Sequence, residues 1–183
     1  VDTMVPYFFE KHGNAASRSH QFGWEAEEAV DYAREQIAQL LGAEDKEIIF
    51  TSGGTEADNM AISCAVNDWG ATRIISSSIE HHAVGHSIES HKNVRFDPVK
   101  VSPTGQVDLQ HLEELLKSGE KTLVSLMHAN NEIGTLLDIK AVSKLCRKYG
   151  ALFHSDTVQT MGHYPINVKD LDIDFITCAA HKF

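Results

Sequence analysis

Cysteine is scarce in this chain of 183 residues: Cys64, Cys146 and Cys178 are odd in number, widely spaced and without a CxxC pair. Such a set argues against both a disulfide framework and a zinc ribbon. It suits a reducing compartment, so a cytoplasmic protein with three small, buried thiols is expected. Basic residues are also few, 16 Lys and Arg against 26 Asp and Glu, for a formal net charge of −10. That balance disfavours nucleic acid and anionic membrane surfaces as partners. The basic stretch CRKYG at 146–150 reads as the solvated end of a helix. No apolar run is long enough to cross a bilayer, and the first residues, VDTMVPYFFEKHG, lack the basic-then-apolar pattern of a signal peptide. Repeats, low-complexity tracts and Pro/Gly/Ser linkers are missing too, so one domain over 1–183 is expected, large enough to bury a core.

What is present alternates between two periods. Residues 24–41 place Val30, Ala33, Ile37, Leu40 and Leu41 at helical spacing before Gly42. EIIF at 47–50 reads as a strand ending in the turn TSGGT, followed by a helical TEADNMAISCAVNDW. Further strands are expected at 73–78, 94–99, 122–128, 151–155 and 174–180, with amphipathic helices at 108–119 and 139–150. Apolar strands alternating with helices indicate an α/β fold with a mostly parallel sheet flanked by helices. Ligands of such sheets bind beyond the carboxyl ends of the strands. The polar residues there are Thr51–Thr55, Glu80–His82, His128–Glu132, Asp156–Gln159 and His181–Lys182.

The strand–helix turn TSGGTE brings Gly53, Gly54 and Thr55 to a helix N-terminus, whose free N–H groups and positive dipole end suit an anion, most often phosphate. It is neither GxxxxGK[ST] nor GxGxxG, and alone such a turn is as often structural. In SIEHHAV, His82 and His86 stand at i,i+4 and invite a metal reading, but no third ligand is near. His81 projecting into the site is the better reading, with a solvated helix end as the bland one. HANNEIG offers Asn131 to a planar ligand or simply makes a loop. Asp156 closes a strand, where a buried carboxylate needs a cation: a metal, a basic side chain or a protonated ring nitrogen. Alternation turns His154 and Asp156 to one face, so a metallohydrolase stays open on periodicity alone.

The last element decides between these. A lysine at the end of a strand, on the rim that already holds a phosphate turn and a carboxylate, is a poor structural residue. It is a good Schiff-base lysine, because partial desolvation frees the amine. Phosphate turn, carboxylate and Lys182 are the minimum set for pyridoxal phosphate.

GNAASRSHQFGWEAEEAV, IIFTSGGTEADNMAI, IEHHAV, MHANNEIG, HSDTVQTMGHYPI and AAHKF together resemble the cysteine desulfurases of the NifS/IscS type, class V aminotransferase relatives of fold type I. The resemblance runs through the whole chain but covers only about the first half of a typical member. It implies a partial pyridoxal-phosphate-binding large domain, without the N-terminal segment and the C-terminal small domain. It implies that Lys182 carries the cofactor and moves the proton of the substrate α-carbon. Asp156 would pair with the pyridinium nitrogen, His81 would stack on the ring and assist acid–base steps, and Val158 would pack beneath. Gln159 would bond the ring hydroxyl oxygen, Asn131 would lie beside ring and substrate, and Gly54, Thr55 and His181 would hold the phosphate. No metal is implied. The implied reaction turns L-cysteine into L-alanine and an enzyme persulfide that feeds iron–sulfur cluster assembly, in a homodimer. The partners are then L-cysteine and a sulfur acceptor or iron–sulfur scaffold protein. A selenocysteine lyase, another class V lyase, or a non-catalytic interaction module are the alternatives.

The sequence departs from that family in places. Ala179 stands where a phosphate-binding serine is usual, and Ala15 where a proline is common. None of the three cysteines matches the family's nucleophile, nor is its carboxylate-binding arginine here, so turnover by this chain alone is not expected. The family also slots a later antiparallel strand between the first and last strands named above, which would leave a gap in the sheet.

Overall fold

The computed structural model describes residues 2–182, which fall into two compact units divided between Phe50 and Thr51. The first unit contains α1 (Val5–Phe9), α2 (Gln21–Leu41) and a 3-10 turn at Asp45–Glu47. Helix α2 starts where the His20 side chain accepts the Gly23 N–H. It stops where Gly42 turns left-handed at φ 69°, a conformation glycine adopts without steric cost. It buries Gly23, Ala38 and Leu41, while Phe8, Phe9, Trp24, Tyr32 and Leu40 are exposed.

The strand expected at 47–50 does not form. Glu47 closes the 3-10 turn, and residues 48–50 pair with no strand among the described residues. A β-branched run becomes a strand only when a neighbour takes its N–H and C=O groups. Here the Ile48 carbonyl accepts from the Arg34 guanidinium instead, and Ile49 and Phe50 are exposed.

The second unit builds the sheet. Its elements are α3 (Gly54–Asn67), β1 (Arg73–Ser76), α4 (His82–Ser90), β2 (Arg95–Pro98), α5 (Leu109–Leu116), β3 (Thr122–Ser125), α6 (Ile139–Tyr149), β4 (Leu152–Asp156) and β5 (Phe175–Thr177). The five strands are all parallel, in the order β2-β1-β3-β4-β5. β1, β2, β3 and β5 are shorter than the runs expected for them, whereas β4 keeps its five residues but is shifted by one, taking in Asp156, which pairs with Thr177. Side-chain caps fix the helices: Asp108 accepts from the Gln110 and His111 N–H groups, and Asp138 from Ala141.

One face of the sheet meets α3 and α4 through Ile62, Ala65, Ile74, Val84, Ile88 and Leu123. Each large aliphatic side chain so buried contributes about 1.5–3 kcal/mol. Ile75 and Val124, which alternation turns to the other face, are equally buried, so both faces are covered. At the head of β1 the buried Arg73 guanidinium donates to the Leu115 carbonyl (2.5 Å) and Ser118 Oγ (2.8 Å) and pairs with Asp97 of β2. Arg95 pairs with Asp97 and Glu120, each at 2.9 Å. No described helix is long and apolar enough to cross a membrane.

Candidate active site

From β1 the chain runs outward to β2 and then returns to the other side of β1 for β3. Beyond the carboxyl ends of the strands, where such a reversal opens a crevice, lies a cleft of about 330 Å³. It is lined by Gly54, Thr55 and Asp58 from α3, His81 after β1, Met127 and Asn131 after β3, Asp156, Val158 and Gln159 from β4 and its turn, and Ala179, His181 and Lys182 after β5. All nine residues singled out in the sequence therefore reach one place.

Helix α3 enters the cleft with its N-terminus, and no side chain caps it. The first-turn N–H groups have no partner within the helix. Gly54 permits close approach at this point: a Cβ there would stand 3.3 Å from Val158 Cγ2 and 3.5 Å from the Ala179 Cβ. The Glu56 carboxylate turns back to the Ser52 N–H (2.5 Å), which folds the preceding turn away. Thr55 and His181 are exposed beside this end.

Asp156 is buried, and its Oδ1 accepts the Val158 N–H at 2.9 Å. Burial pushes its carboxyl up, and the negative charge of Asp58 pushes it further; the Val158 N–H, His154 and His81 pull it back. His81 is both things the sequence left open: it lines the cleft and it caps α4, its Nδ1 accepting the Ala83 N–H at 3.2 Å. His82 and His86 stack on each other, centroids 5.6 Å apart, away from the cleft lining. Lys182 sits on a 3-10 turn, Ala180–Lys182, and its carbonyl accepts from His163 Nε2 at 3.1 Å. It is exposed, so the desolvation expected of it is not present: the turn projects past the end of β5 rather than burying its side chains.

Two carboxylates of this region were given no role by the sequence: Asp58 was not noticed, and Glu80 was only placed at the end of its strand. Asp58 is 1% exposed on α3 and lines the cleft. Its signal was a charge on the buried helix face, four residues before Ile62 and seven before Ala65. Glu80, beside His81, accepts from Ser77 Oγ (2.5 Å) and the Met127 N–H (2.8 Å), and burial raises its carboxyl to about 8. Asn130 donates to the Ile79 carbonyl at 2.7 Å, fastening the same turn to the end of β3. Of the three thiols expected to be buried only Cys146 is; Cys64 and Cys178 are half-buried. Desolvation still drives all three up, Cys146 to about 12 and Cys64 and Cys178 above their ordinary value.

An uncapped helix end, a buried carboxylate and a lysine thus share one rim of a parallel sheet. The whole chain, residues 1–183, matches the Aminotransferase class-V family, and it belongs to that family, whose members depend on pyridoxal phosphate. It is 43% identical over 189 residues to a mitosomal cysteine desulfurase of Trachipleistophora hominis, covering 100% of this chain and 42% of that relative. It is 47% identical over 174 residues to the cysteine desulfurase IscS of Pectobacterium atrosepticum, covering 93% and 43%. A solved NifS-like protein superposes with a TM-score of 0.93 at 36% identity, over 100% of this chain and 51% of that one. A structure of SspA in complex with cysteine does so at 0.91 and 30%, over 99% and 53%. The chain thus spans less than half the length of these curated relatives, and its fold is that of their fold-type-I sheet domain.

Proposed function

We propose that these residues are the cofactor-binding part of a cysteine desulfurase that uses pyridoxal phosphate. The observation that carries this reading is the convergence of the uncapped α3 terminus, Asp156 and Lys182 on one cleft. The donor set fits the group. Backbone N–H groups of α3 with Thr55 and His181 suit a phosphate, Asp156 a protonated ring nitrogen, and Lys182 Nζ the aldehyde. Bound there, the cofactor supplies an electron sink for charge developing at the substrate α-carbon.

The chain's own residues do the rest. Asp156 would hold the proton of the ring nitrogen. His81 and Val158 would pack against the ring and exclude water. Gln159 would bond the ring hydroxyl oxygen, and Asn131 would orient ring and substrate. Lys182 Nζ would anchor the group and move the proton at the α-carbon. L-cysteine is then the substrate and L-alanine the product, the sulfur passing to a thiolate. None of the three cysteines matches the family's nucleophile, and all three thiols are pushed up, away from the thiolate; in this reading the thiolate comes from elsewhere, in a homodimeric parent that hands sulfur to an iron–sulfur acceptor. The three free thiols suit a cytoplasmic setting.

Incubation of the chain with pyridoxal phosphate, borohydride reduction and peptide mass spectrometry test this. Lys182 is expected to carry the label. Labelling spread over surface lysines, or none, overturns the reading.

A further inference from the structure

Asp156 and Asp58 line the same cleft, and both are buried. Two neighbouring carboxylates out of water disfavour each other's charge, and Asp58 indeed pushes Asp156 up. A cleft that must offer Asp156 as an anion therefore has to balance Asp58.

The hydrogen bonds around Asp58 show how. Thr177, the cross-strand partner of Asp156 on β5, donates its hydroxyl proton to Asp58 Oδ1 at 2.5 Å. With that proton used, Thr177 Oγ1 can only accept from His154 Nε2, 3.3 Å away. Asp58 Oδ1 also lies 3.5 Å from the same nitrogen. Two acceptors face Nε2, so it carries a hydrogen. The other ring nitrogen, Nδ1, meets Ser125 Oγ at 2.9 Å. A serine hydroxyl donates or accepts by rotating, so this contact accommodates a second ring proton once the hydroxyl turns its own hydrogen away. His154 is 0% exposed, on the face of β4 that also carries Asp156.

We propose that His154 holds this second proton as the buried counter-charge of Asp58, so that the charge of Asp58 is balanced and Asp156 can stand in the cleft as an anion. Asp58 and His154 are then positioning residues: neither is assigned a contact with substrate or ring, and they act through Asp156. The other groups facing Asp156 are Glu80 and His81 from the turn before α4 and Cys178 after β5, with His181 and Lys182 on the cleft wall. Glu80 and Cys178 are themselves pushed towards their neutral forms. The consequence for cofactor binding rests on the pyridoxal phosphate reading above, whereas the charge assignment does not.

Nitrogen NMR of the His154 ring in the wild-type chain, without cofactor at pH 7, reads the assignment directly. Protons on both nitrogens are expected; a ring with one bare nitrogen overturns the proposal. Carbon NMR of the Asp156 carboxyl then separates charge from packing. His154→Asn is expected to raise its titration midpoint by about one unit, and Asp58→Asn added to it to bring the midpoint back to the wild-type value or below. If the double variant stays as high as the single, the residues act only by packing and the proposal is wrong. Pyridoxal phosphate titrations of the same proteins should show about tenfold weaker binding for His154→Asn at pH 7, and recovery to within about threefold in the double variant. Failure of the wild type to bind, with the NMR results as expected, would remove the cofactor reading and leave the buried pair standing.

Discussion

Glu80 reaches from the turn behind β1 to the end of β3, where its Oε2 accepts the backbone N–H of Met127 at 2.8 Å. With the Ser77 hydroxyl on its other oxygen, the side chain staples the segment that ends in His81 to the neighbouring strand.

The staple makes stability depend on pH. The Glu80 carboxyl is raised from 4.5 to about 8 by burial, so the folded chain holds its proton more tightly than the unfolded chain. That contribution is fully present below about pH 4.5 and is lost as pH rises through 8, up to about 3–5 kcal/mol. Glu80→Gln keeps an acceptor for Met127 and an amide for Ser77 with no charge to bury. Thermal denaturation at pH 5.5 and 8.5 should show the variant gaining on wild type only at the higher pH. An equal gain or loss at both would refute the assignment.

Gly54 separates folding from binding. Alanine is the better helix former by about 0.5–1 kcal/mol, yet its Cβ would crowd the cleft wall, 3.3 Å from Val158 Cγ2 and 3.5 Å from the Ala179 Cβ. Gly54→Ala should leave the melting temperature unchanged or higher while weakening pyridoxal phosphate binding about tenfold. Spectroscopic titration beside calorimetry checks both halves.

Ala179 is buried in the cleft wall near the α3 terminus. A hydroxyl there adds a hydrogen bond to an anionic phosphate, so Ala179→Ser should tighten binding by about 1–2 kcal/mol, roughly 5- to 30-fold in Kd. An unchanged affinity would place the phosphate elsewhere.

The thiols should be sluggish. A nucleophilic cysteine is a thiolate, and burial pushes Cys64, Cys146 and Cys178 away from that form. Alkylation by iodoacetamide at pH 7 should be slower than that of free cysteine for each, followed by mass spectrometry. A rapidly modified Cys178 would reopen its role.

Much of this was legible in the residue order, for identifiable reasons. The α2 stop was written in Gly42, left-handed in the fold; Gly150, also left-handed, ends α6 one residue before the expected boundary. The position of the candidate site was legible because ligands of parallel sheets collect at strand ends, and Asp156, His81 and Lys182 do line one cleft there. The strand at 47–50 was misread because an apolar run states a preference, not a partner, and Arg34 took the Ile48 carbonyl. Asp58 was passed over, and Glu80 was placed at a strand end without a role, because the importance of both comes from what surrounds them. A carboxylate reads as a surface residue until the fold shows it buried against Thr177 or Met127.

The short strand β2 has one more consequence. It ends the sheet, and among the described residues nothing pairs with its outer edge. An open edge is a template on which stray strands can grow into aggregates. This one is only four residues long, Arg95–Pro98. Pro98 offers no N–H, and Arg95 and Asp97 place paired charges beside the exposed Phe96. The ion pairs that fasten β2 to the rest of the sheet thus also act as gatekeepers, keeping the edge from recruiting other chains.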